Sequence, residues 1–528
     1  MDASTSSLVV VVGMYAAFLF VGWLAARRTR DQGLTESMLA GRAMPLWIAM
    51  LTMTATWVDG GYLLGTAEYT LTSLPGAWQG GICFGLSLVL GGVFFAGRMR
   101  WLEFATMVDP FQARFGRPWA AVLMLPALLG ETFWSAALLV AIGATLQAAT
   151  GVSLTVAILF SAGIVTLYTM LGGMWSVAYT DAFQLSLIPL GMVAALPYAL
   201  EHVGGLQACW DAYRQQKGTA ALLFPSFNPN DPNWGLPATF AWWDTSLMLV
   251  FGGIPWNCYF QRVLSCRSPR AARWHSILAG VLTMALTIPP VLLGMAAATY
   301  SWQSADAAQL AEHASHALPL LLSRTTPVVV GMLGMAAIVG AVTSSYSSSV
   351  LSAGSMFSWN LYHRLLFPKA PVHSVRRVLR LAITGVSIAA IVMAMKVESV
   401  QQLWFFTSDL VYVLLFPQLV CALFDVRANR IGSVTAFAVA LSLRLGGGEP
   451  MFQLPPMFPY PEWFAAVLPG QPADWYTPEG ALLFPFKTLA AACGLILLPV
   501  VSRLSARWDP PRALERLSGT GEVRPLPG

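Results

Sequence analysis

The sequence predicts an all-α polytopic membrane protein, and two observations support that class. The chain of 528 residues is 56% hydrophobic and only 10% charged, whereas soluble globular proteins carry about 25% charged residues. Its apolar runs, such as Leu8–Leu24 and Leu278–Ala298, are long and do not alternate with polar residues. Such runs fit membrane helices rather than the roughly 10-residue alternating strands of a barrel. We therefore expect a helical bundle whose main partner is the lipid bilayer.

Apolar runs bounded by polar breaks predict about thirteen transmembrane helices. They lie near residues 7–25, 45–69, 79–97, 118–149, 153–171, 179–199, 241–260, 275–299, 327–358, 377–395, 400–424, 431–446 and 482–502. Several runs exceed the roughly 20 residues that cross a bilayer, so we expect some helices to be tilted or broken.

Basic residues lie in short clusters between the apolar runs. Alternate loops hold the clusters at 27–42, 98–117, 262–273, 364–380 and 427–430 and the tail from 503. The positive-inside rule places these loops in the cytoplasm, with the N-terminus outside and the C-terminus inside. An odd number of spans agrees with this, because it puts the two ends on opposite sides of the membrane. The cluster at 262–273 includes Arg262, which is therefore expected to belong to a cytoplasmic loop. The net charge of +5 thus reflects topology, and we expect no nucleic-acid partner.

Two spans are interrupted beside a tryptophan. One reads LTMTATWVDGGYLLGTAE (51–68) and the other reads LVFGGIPWNCYFQRV (249–263). Glycine and proline at these points would free backbone carbonyls and amides at membrane depth. For either interruption taken alone, a kink that only serves helix packing is about as good an explanation as a functional break. Matching interruptions at the first helix of each half favour an inverted-repeat secondary transporter.

The expected spans divide the chain into six segments. These are an extra N-terminal helix with a basic inner loop (1–44), a first inverted-repeat half (45–200), an extracellular loop (201–240), a second half (241–426), the last two helices with their outer loop (427–504) and a cytoplasmic tail (505–528).

The span near 327–358 contains the serine-rich stretch GAVTSSYSSSVLSAGS. Ala341, Ser344 and Ser345 are spaced i, i+3, i+4, so their oxygens lie on one helix face. The freed carbonyls of Ala55 and Val58 would complete a set of neutral oxygens suited to a dehydrated sodium ion. The alternative is that small serines only permit close helix packing.

Acidic residues inside the apolar runs are expensive in lipid, so a cation path or a buried ion pair is the first interpretation. The clearest cases are Asp59, Glu131, Asp181 and Asp409. Asp181 also precedes a long apolar run, where it could cap a helix.

Three tryptophans differ from those expected at the membrane interface. Trp57 and Trp256 flank the two helix breaks, and Trp134 lies mid-span beside Glu131. Three converging indoles would hold a quaternary ammonium by cation–π attraction. Each tryptophan could equally be part of the packed core.

The stretches GETFWSAA (130–137), GGIPWNCYFQRVLS (252–265), SDLVYVLLFPQLVCALF (408–424) and FPFKTLA (484–490) resemble the solute:sodium symporter family, in particular its high-affinity choline-transporting branch. The resemblance covers nearly the whole chain from the second span onward. It implies a LeuT-type 5+5 inverted repeat and sodium-coupled uptake, with chloride dependence in the choline branch. No enzymatic activity is implied. The absence of N-x-S/T sequons fits a bacterial source.

The family's sodium ligands fall on five positions of this chain. They are Ala55, Val58, Ala341, Ser344 and Ser345. The resemblance further implies a second sodium-site region at Asp181, Ser345 and Ser348.

The aromatic cage of the choline branch falls on Trp57, Trp134 and Trp256. Phe84 stands where that branch often has tyrosine, and Asp59 stands where glycine is expected. A carboxylate at that position would strengthen cation binding or alter substrate choice.

The sequence therefore predicts sodium-coupled uptake of choline across the plasma membrane by alternating access. A symporter of betaine, proline or carnitine is the same-class alternative. A non-transporting membrane sensor is the different-class alternative, and an enzyme is disfavoured because the six histidines form no HExxH motif. A homo-oligomer is left open.

Overall fold

The computed structural model describes residues 3–27, 33–396, 400–449, 452–478, 480–514, 516–517 and 523–524. Arg28 and Arg30 of the first basic loop, and most of the predicted tail beyond 514, lie outside the described residues. The α-helices are, in chain order, α1 (Ala3–Ala26), α2 (Leu34–Leu39), α3 (Leu46–Trp57), α4 (Gly60–Thr70), α5 (Leu74–Leu90), α6 (Gly97–Trp101), α7 (Asp109–Phe115), α8 (Arg117–Thr150), α9 (Leu154–Glu201), α10 (Leu206–Lys217), α11 (Gly235–Gly252), α12 (Asn257–Ser265), α13 (Pro269–Ala285), α14 (Ile288–Thr299), α15 (Ser304–Glu312), α16 (Ala317–Thr325), α17 (Val328–Met356), α18 (Val372–Ala394), α19 (Val400–Phe424), α20 (Arg430–Gly446), α21 (Tyr460–Trp463) and α22 (Phe486–Leu504).

Shorter segments connect these helices. Two π-helical segments, Gly91–Ala96 and Phe357–Leu366, continue α5 and α17. Single 3-10 turns occupy Ala40–Arg42, Gly218–Ala221, Ala314–His316 and Pro472–Trp475. The two-residue strands β1 (Arg516–Leu517) and β2 (Val523–Arg524) pair antiparallel, with Arg516 opposite Arg524.

Eight helical stretches of the described chain are long and apolar enough to cross a bilayer, and Val11–Ala25 and Leu46–Trp57 are shorter apolar helices. The count is lower than thirteen partly because a broken span becomes two short helices. The second predicted span divides into α3 and α4, and the seventh divides into α11 and α12. The count of thirteen therefore remains a prediction.

The predicted spans near 153–171 and 179–199 form one helical run, α9, of 48 residues. A straight helix of that length would measure about 72 Å, more than twice the roughly 30 Å hydrocarbon core. The run is interrupted at Gly173, where φ is 54° and ψ is −147°. That backbone conformation is nearly restricted to glycine, so the break depends on this residue.

Helix α17 lies at the centre of the bundle. Every residue from Ala337 to Met356 is buried, and α17 packs against α9, α8, α3 and α4. Small residues permit this close packing. A Cβ on Gly191 of α9 would lie 2.6 Å from the Leu333 carbonyl oxygen, and one on Gly60 of α4 would lie 2.4 Å from Val342. The serine-rich face of α17 is therefore held directly against the break between α3 and α4.

The loop 201–240 packs onto the end of α4. The Tyr213 hydroxyl donates to the Thr70 carbonyl at 2.8 Å, and the Lys217 ammonium donates to the Leu71 carbonyl. Burial lowers the pKa of Lys217. On the neighbouring helix, the Trp78 indole donates to the Leu223 carbonyl at 2.8 Å. This loop is an ordered cap over α4 and α5.

Replacing Gly173 with alanine should destabilise the protein. A Cβ there would lie 2.5 Å from the Ser37 carbonyl oxygen, and the backbone conformation itself costs a non-glycine residue about 1–3 kcal/mol. Gly163→Ala, in the same helix with nothing within 4 Å of the added Cβ, is the matched control. We expect a lower apparent melting temperature in detergent for Gly173→Ala only. Equal melting temperatures for the two variants would contradict the assigned break.

Candidate functional site

The candidate site is built on the break between α3 and α4. Helix α3 ends at Trp57, and Val58 leaves the helical conformation with φ −89° and ψ 76°. Asp59 then caps α4, because its Oδ1 accepts a hydrogen bond from the Tyr62 amide at 2.6 Å. Carbonyls at the end of α3 thereby lose the amide partners that a continuous helix would supply.

Serine hydroxyls of α17 take the place of those partners. Ser344 Oγ donates to the Ala55 carbonyl at 2.8 Å and to the Ala341 carbonyl at 2.9 Å. Ser345 Oγ donates to the Thr56 carbonyl at 2.9 Å and to the Ala341 carbonyl at 3.2 Å. Four predicted sodium ligands are thus in mutual contact.

The remaining predicted ligand, Val58, is fully buried and lies next to this group at the break. The oxygens come from carbonyls and hydroxyls, which suit a hard monovalent cation bound at an unwound helix. Within the described part of the chain, no cluster of three or more His, Cys, Asp or Glu residues could hold a metal. The assignment of these five residues to sodium remains a prediction.

The three predicted tryptophans converge, although they come from separate elements. The Trp57 ring centroid lies 6.1 Å from that of Trp134 in a stacked arrangement and 6.4 Å from that of Trp256 in an edge arrangement. Trp134 and Trp256 are 5.4 Å apart, and Phe84 of α5 lies 5.0 Å from Trp57. All four rings are at most 5% exposed.

The triangle formed by these three indoles has dimensions suited to one cation. Its centre lies about 3.5 Å from each ring centroid, so a charge roughly 5 Å above its plane remains within about 6 Å of all three rings, the range of cation–π attraction. The rings contact one another in this conformation. A bulky ammonium that inserted between them would have to separate them.

Asp59 joins the helix break to this aromatic group. Its Oδ2 accepts from the Trp134 indole nitrogen at 2.7 Å, while Oδ1 caps α4. The carboxylate is 2% exposed, and no basic side chain of the described chain forms an ion pair with it. Asp59 therefore contributes an uncompensated negative charge beside the three indoles.

The other two indole nitrogens have no such acceptor. Trp57 Nε1 and Trp256 Nε1 are buried and without a hydrogen-bond partner among the described residues. A buried donor without a partner costs about 1–3 kcal/mol. A ligand that brings one oxygen acceptor into this group would recover part of that cost.

Asp181 and Ser348, predicted at a second sodium site, do lie close together. They hold a guanidinium: Arg262 Nη2 lies 3.0 Å from Asp181 Oδ2 and donates to Ser348 Oγ as well. Arg262 Nε donates to Thr52 Oγ1 at 3.1 Å, and Thr52 in turn donates to Asp181. The second sodium site stays a prediction, and in this conformation its acid is paired with an arginine of the chain.

The location of Arg262 differs from the expectation that it belongs to a basic cytoplasmic loop. Its side chain is fully buried on α12. Arg262 lies six residues after Trp256, in the stretch NCYFQRVLS (257–265), which mixes polar and apolar residues and directly precedes the basic residues 267–273. No local pattern in the sequence therefore distinguished Arg262 from those basic residues.

Glu131 is a further buried acid at the site that the predicted ligand set omits. Its Oε2 accepts from Ser349 Oγ at 2.8 Å, and its Oε1 accepts from Ser352 Oγ and from the Cys258 amide, the latter at 3.3 Å. The acid on α8 thus binds α17 and the first turn of α12, two residues after Trp256. It positions the second helix break relative to the serine-rich helix.

The buried pair of Arg262 and Asp181 should couple strongly. Asp181→Asn leaves a guanidinium without its counter-charge, which costs about 3–5 kcal/mol in buried pairs. Asp306→Asn leaves the Arg324 guanidinium, which is 48% exposed to solvent, and should cost about 0–1 kcal/mol. The double variant Asp181→Asn/Arg262→Gln should melt closer to wild type than the sum of the single losses predicts. Additive losses would show that the pair contributes no specific coupling.

Comparison with known proteins gives consistent findings. The Sodium:solute symporter family model matches residues 38–440. High-affinity choline transporter 1 of Drosophila melanogaster is 39% identical over 95% of this chain and 78% of its own length. The proteins described by the same name are 37% identical in Caenorhabditis elegans, over 96% of this chain and 88% of theirs, and 37% identical in Homo sapiens, over 94% and 85%.

Solved structures show the same fold. A substrate-bound, outward-open Na⁺-coupled sialic acid symporter superposes with a TM-score of 0.76 at 19% identity and covers 99% of each chain. Mhp1, a nucleobase-cation-symport-1 family transporter in a closed conformation, gives a TM-score of 0.56 at 13% identity, over 90% of this chain and 95% of that one. The LeuT-type fold that the resemblance implies is therefore confirmed.

Proposed function

The chain belongs to the sodium:solute symporter family, and on that premise we propose that it takes up choline with sodium across the plasma membrane by alternating access. The observation that carries the proposal is the buried Asp59 carboxylate, unpaired among the described residues and hydrogen-bonded to one of three converging tryptophans. A quaternary ammonium has no hydrogen to donate, so it is held by charge and by aromatic faces. Both are present here.

The proposed substrate is a cation rather than a zwitterion such as betaine, proline or carnitine. A zwitterion brings a carboxylate that would face Asp59 and that needs a basic partner. Arg262, the buried arginine of α12, is already paired with Asp181. Choline brings a hydroxyl instead, which can accept from an unpartnered indole nitrogen of Trp57 or Trp256.

Sodium and substrate are coupled through one short segment. Ala55 and Val58 are proposed sodium ligands, and Trp57 between them is a proposed cage ring. A sodium ion held by Ala55, Ser344 and Ser345 would fix the end of α3 against α17. The same ion would therefore order Trp57, so that substrate binds better when sodium is present. Release of sodium into the cytoplasm would loosen both sites, as alternating access requires.

The finer topology is also part of the proposal. We propose thirteen spans in a 5+5 inverted repeat, an outside N-terminus, an inside C-terminus and the six segments 1–44, 45–200, 201–240, 241–426, 427–504 and 505–528. The distribution of basic clusters supports this orientation. The absence of a nucleic-acid partner remains a prediction, and a homo-oligomer is left open. Chloride dependence is supported by the resemblance alone, and uptake in gluconate medium tests it.

Uptake of radiolabelled choline into proteoliposomes tests the proposed function. We expect accumulation only with an inward sodium gradient, and competition by excess choline but not by betaine or proline. Single replacement of Trp57, Trp134 or Trp256 by alanine should weaken choline binding by about two- to thirtyfold, the value of one cation–π contact. Trp463→Ala, at a 57% exposed position, is the control and should leave affinity unchanged.

Two results would contradict this proposal in different ways. Unchanged affinity in all three cage variants would exclude the aromatic site while leaving choline as substrate. Sodium-driven uptake of a zwitterion, with none of choline, would exclude choline while leaving the family and its sodium coupling intact.

The indole nitrogens allow a sharper test of how choline is oriented. Phenylalanine at Trp57 or Trp256 keeps an aromatic face and removes the N–H donor. If the removed donor binds the choline hydroxyl, that variant should lose about two- to tenfold more affinity for choline than for ethyltrimethylammonium, which lacks the hydroxyl. Equal losses for both ligands in both variants would show that neither indole binds the hydroxyl.

A further inference from the structure

A separate cleft of about 500 Å³ lies between the end of α6 and the start of α13. Three arginines line it, Arg98 from α6 and Arg270 and Arg273 from α13, together with Trp101 and Trp274. The three arginines are exposed, and the two tryptophans are 43% and 47% exposed. The cleft shares no residue with the candidate site.

The positive charges of this cleft have no acidic partner. Within the described residues, Arg98, Arg270 and Arg273 form no ion pair, although other arginines such as Arg262 and Arg444 are paired with acids. Arg98 lies over the Phe424 ring at 5.3 Å, a contact that does not neutralise it. Like charges gathered in one cleft repel one another, and an anion between them would remove that repulsion.

The two helices are in direct contact at the cleft. A Cβ on Gly92 would lie 2.9 Å from the Arg273 carbonyl oxygen, and one on Gly97 would lie 3.7 Å from the Arg273 guanidinium. The absence of a side chain at Gly97 leaves room for the Arg273 guanidinium beside it, and Arg98 is the next residue of the chain. The three arginines line the same cleft.

An exposed apolar surface extends from the cleft along both elements. Val93 and Phe94 of the π-helical segment are 42% and 58% exposed, and Leu278 and Val281 of α13 are 40% and 53% exposed. Leu278 follows Trp274 by four residues and Val281 follows it by seven, so these side chains lie on one face of α13. In a membrane protein such a surface contacts lipid chains, and exposed tryptophans lie at headgroup level.

We infer that this cleft binds an anionic glycerophospholipid. Its phosphate would lie among Arg98, Arg270 and Arg273, because one guanidinium group can donate two parallel hydrogen bonds to two phosphate oxygens. Its acyl chains would lie along Phe94 and Leu278. The arginines belong to clusters expected on the cytoplasmic side, where basic pockets between membrane helices bind anionic headgroups.

Native mass spectrometry of the full chain, purified in detergent and titrated with dioleoylphosphatidylglycerol or dioleoylphosphatidylcholine, tests this site. The test variant is Arg98→Gln/Arg270→Gln/Arg273→Gln. The control variant is Arg377→Gln/Arg380→Gln/Arg430→Gln, which removes three exposed arginines elsewhere. We expect wild type and control to retain phosphatidylglycerol over phosphatidylcholine. The test variant should bind phosphatidylglycerol up to about a hundredfold more weakly, at an unchanged melting temperature.

Three results would overturn the inference. One is equal retention of phosphatidylglycerol by the test and control variants. Another is equal retention of the two lipids by wild type. The third is displacement of the lipid by inorganic phosphate at the same concentration, which would identify a site for free phosphate rather than for lipid. If the test variant had a lowered melting temperature, the single variant Arg273→Gln would replace it, and this variant should bind phosphatidylglycerol about fivefold more weakly than wild type; unchanged binding would overturn the inference.

Discussion

The interruption of the helix at Val58 and Asp59 is the constraint on which the rest of the site depends. Because the chain leaves the helical path there, carbonyls at the end of α3 turn to the hydroxyls of α17. The same interruption allows the Asp59 carboxylate to cap α4 and to accept from Trp134. The close approach of Gly60 to Val342 keeps the interruption against the central helix. The five consecutive residues 55–59 thus contain two proposed sodium ligands, one tryptophan of the aromatic group and the buried carboxylate.

The buried charges of the bundle fall into two kinds. Asp181 is paired with Arg262, and Asp409 shares Arg444 with Glu449, so a basic side chain faces each of these acids. Asp59 and Glu131 are held by neutral donors within the described chain. Unpaired acids are expensive at membrane depth. The contact of Asp59 with Trp134, and that of Glu131 with the Cys258 amide two residues after Trp256, are therefore most simply explained by a cationic cargo.

Much of the site could be predicted from the sequence because it depends on local patterns. The spacing of Ala341, Ser344 and Ser345 on one helix face required only the helical period, and the glycines after Asp59 marked the break. Two features were not predictable in this way. Arg262 precedes a run of basic residues, so its burial is decided by the packing of α12 against α3 and α17. The break at Gly173 lies against the Ser37 carbonyl oxygen, which is distant in sequence, so a local pattern does not reveal it.

The cap formed by residues 201–240 has a consequence for how the molecule moves. Tyr213 and Lys217 donate hydrogen bonds to the Thr70 and Leu71 carbonyls at the end of α4, and Asp59, which caps the start of α4, accepts from Trp134. Any tilt of α4 that opens the aromatic group must carry this surface loop with it. A protein that bound this loop tightly would therefore restrain α4 without occupying the aromatic site.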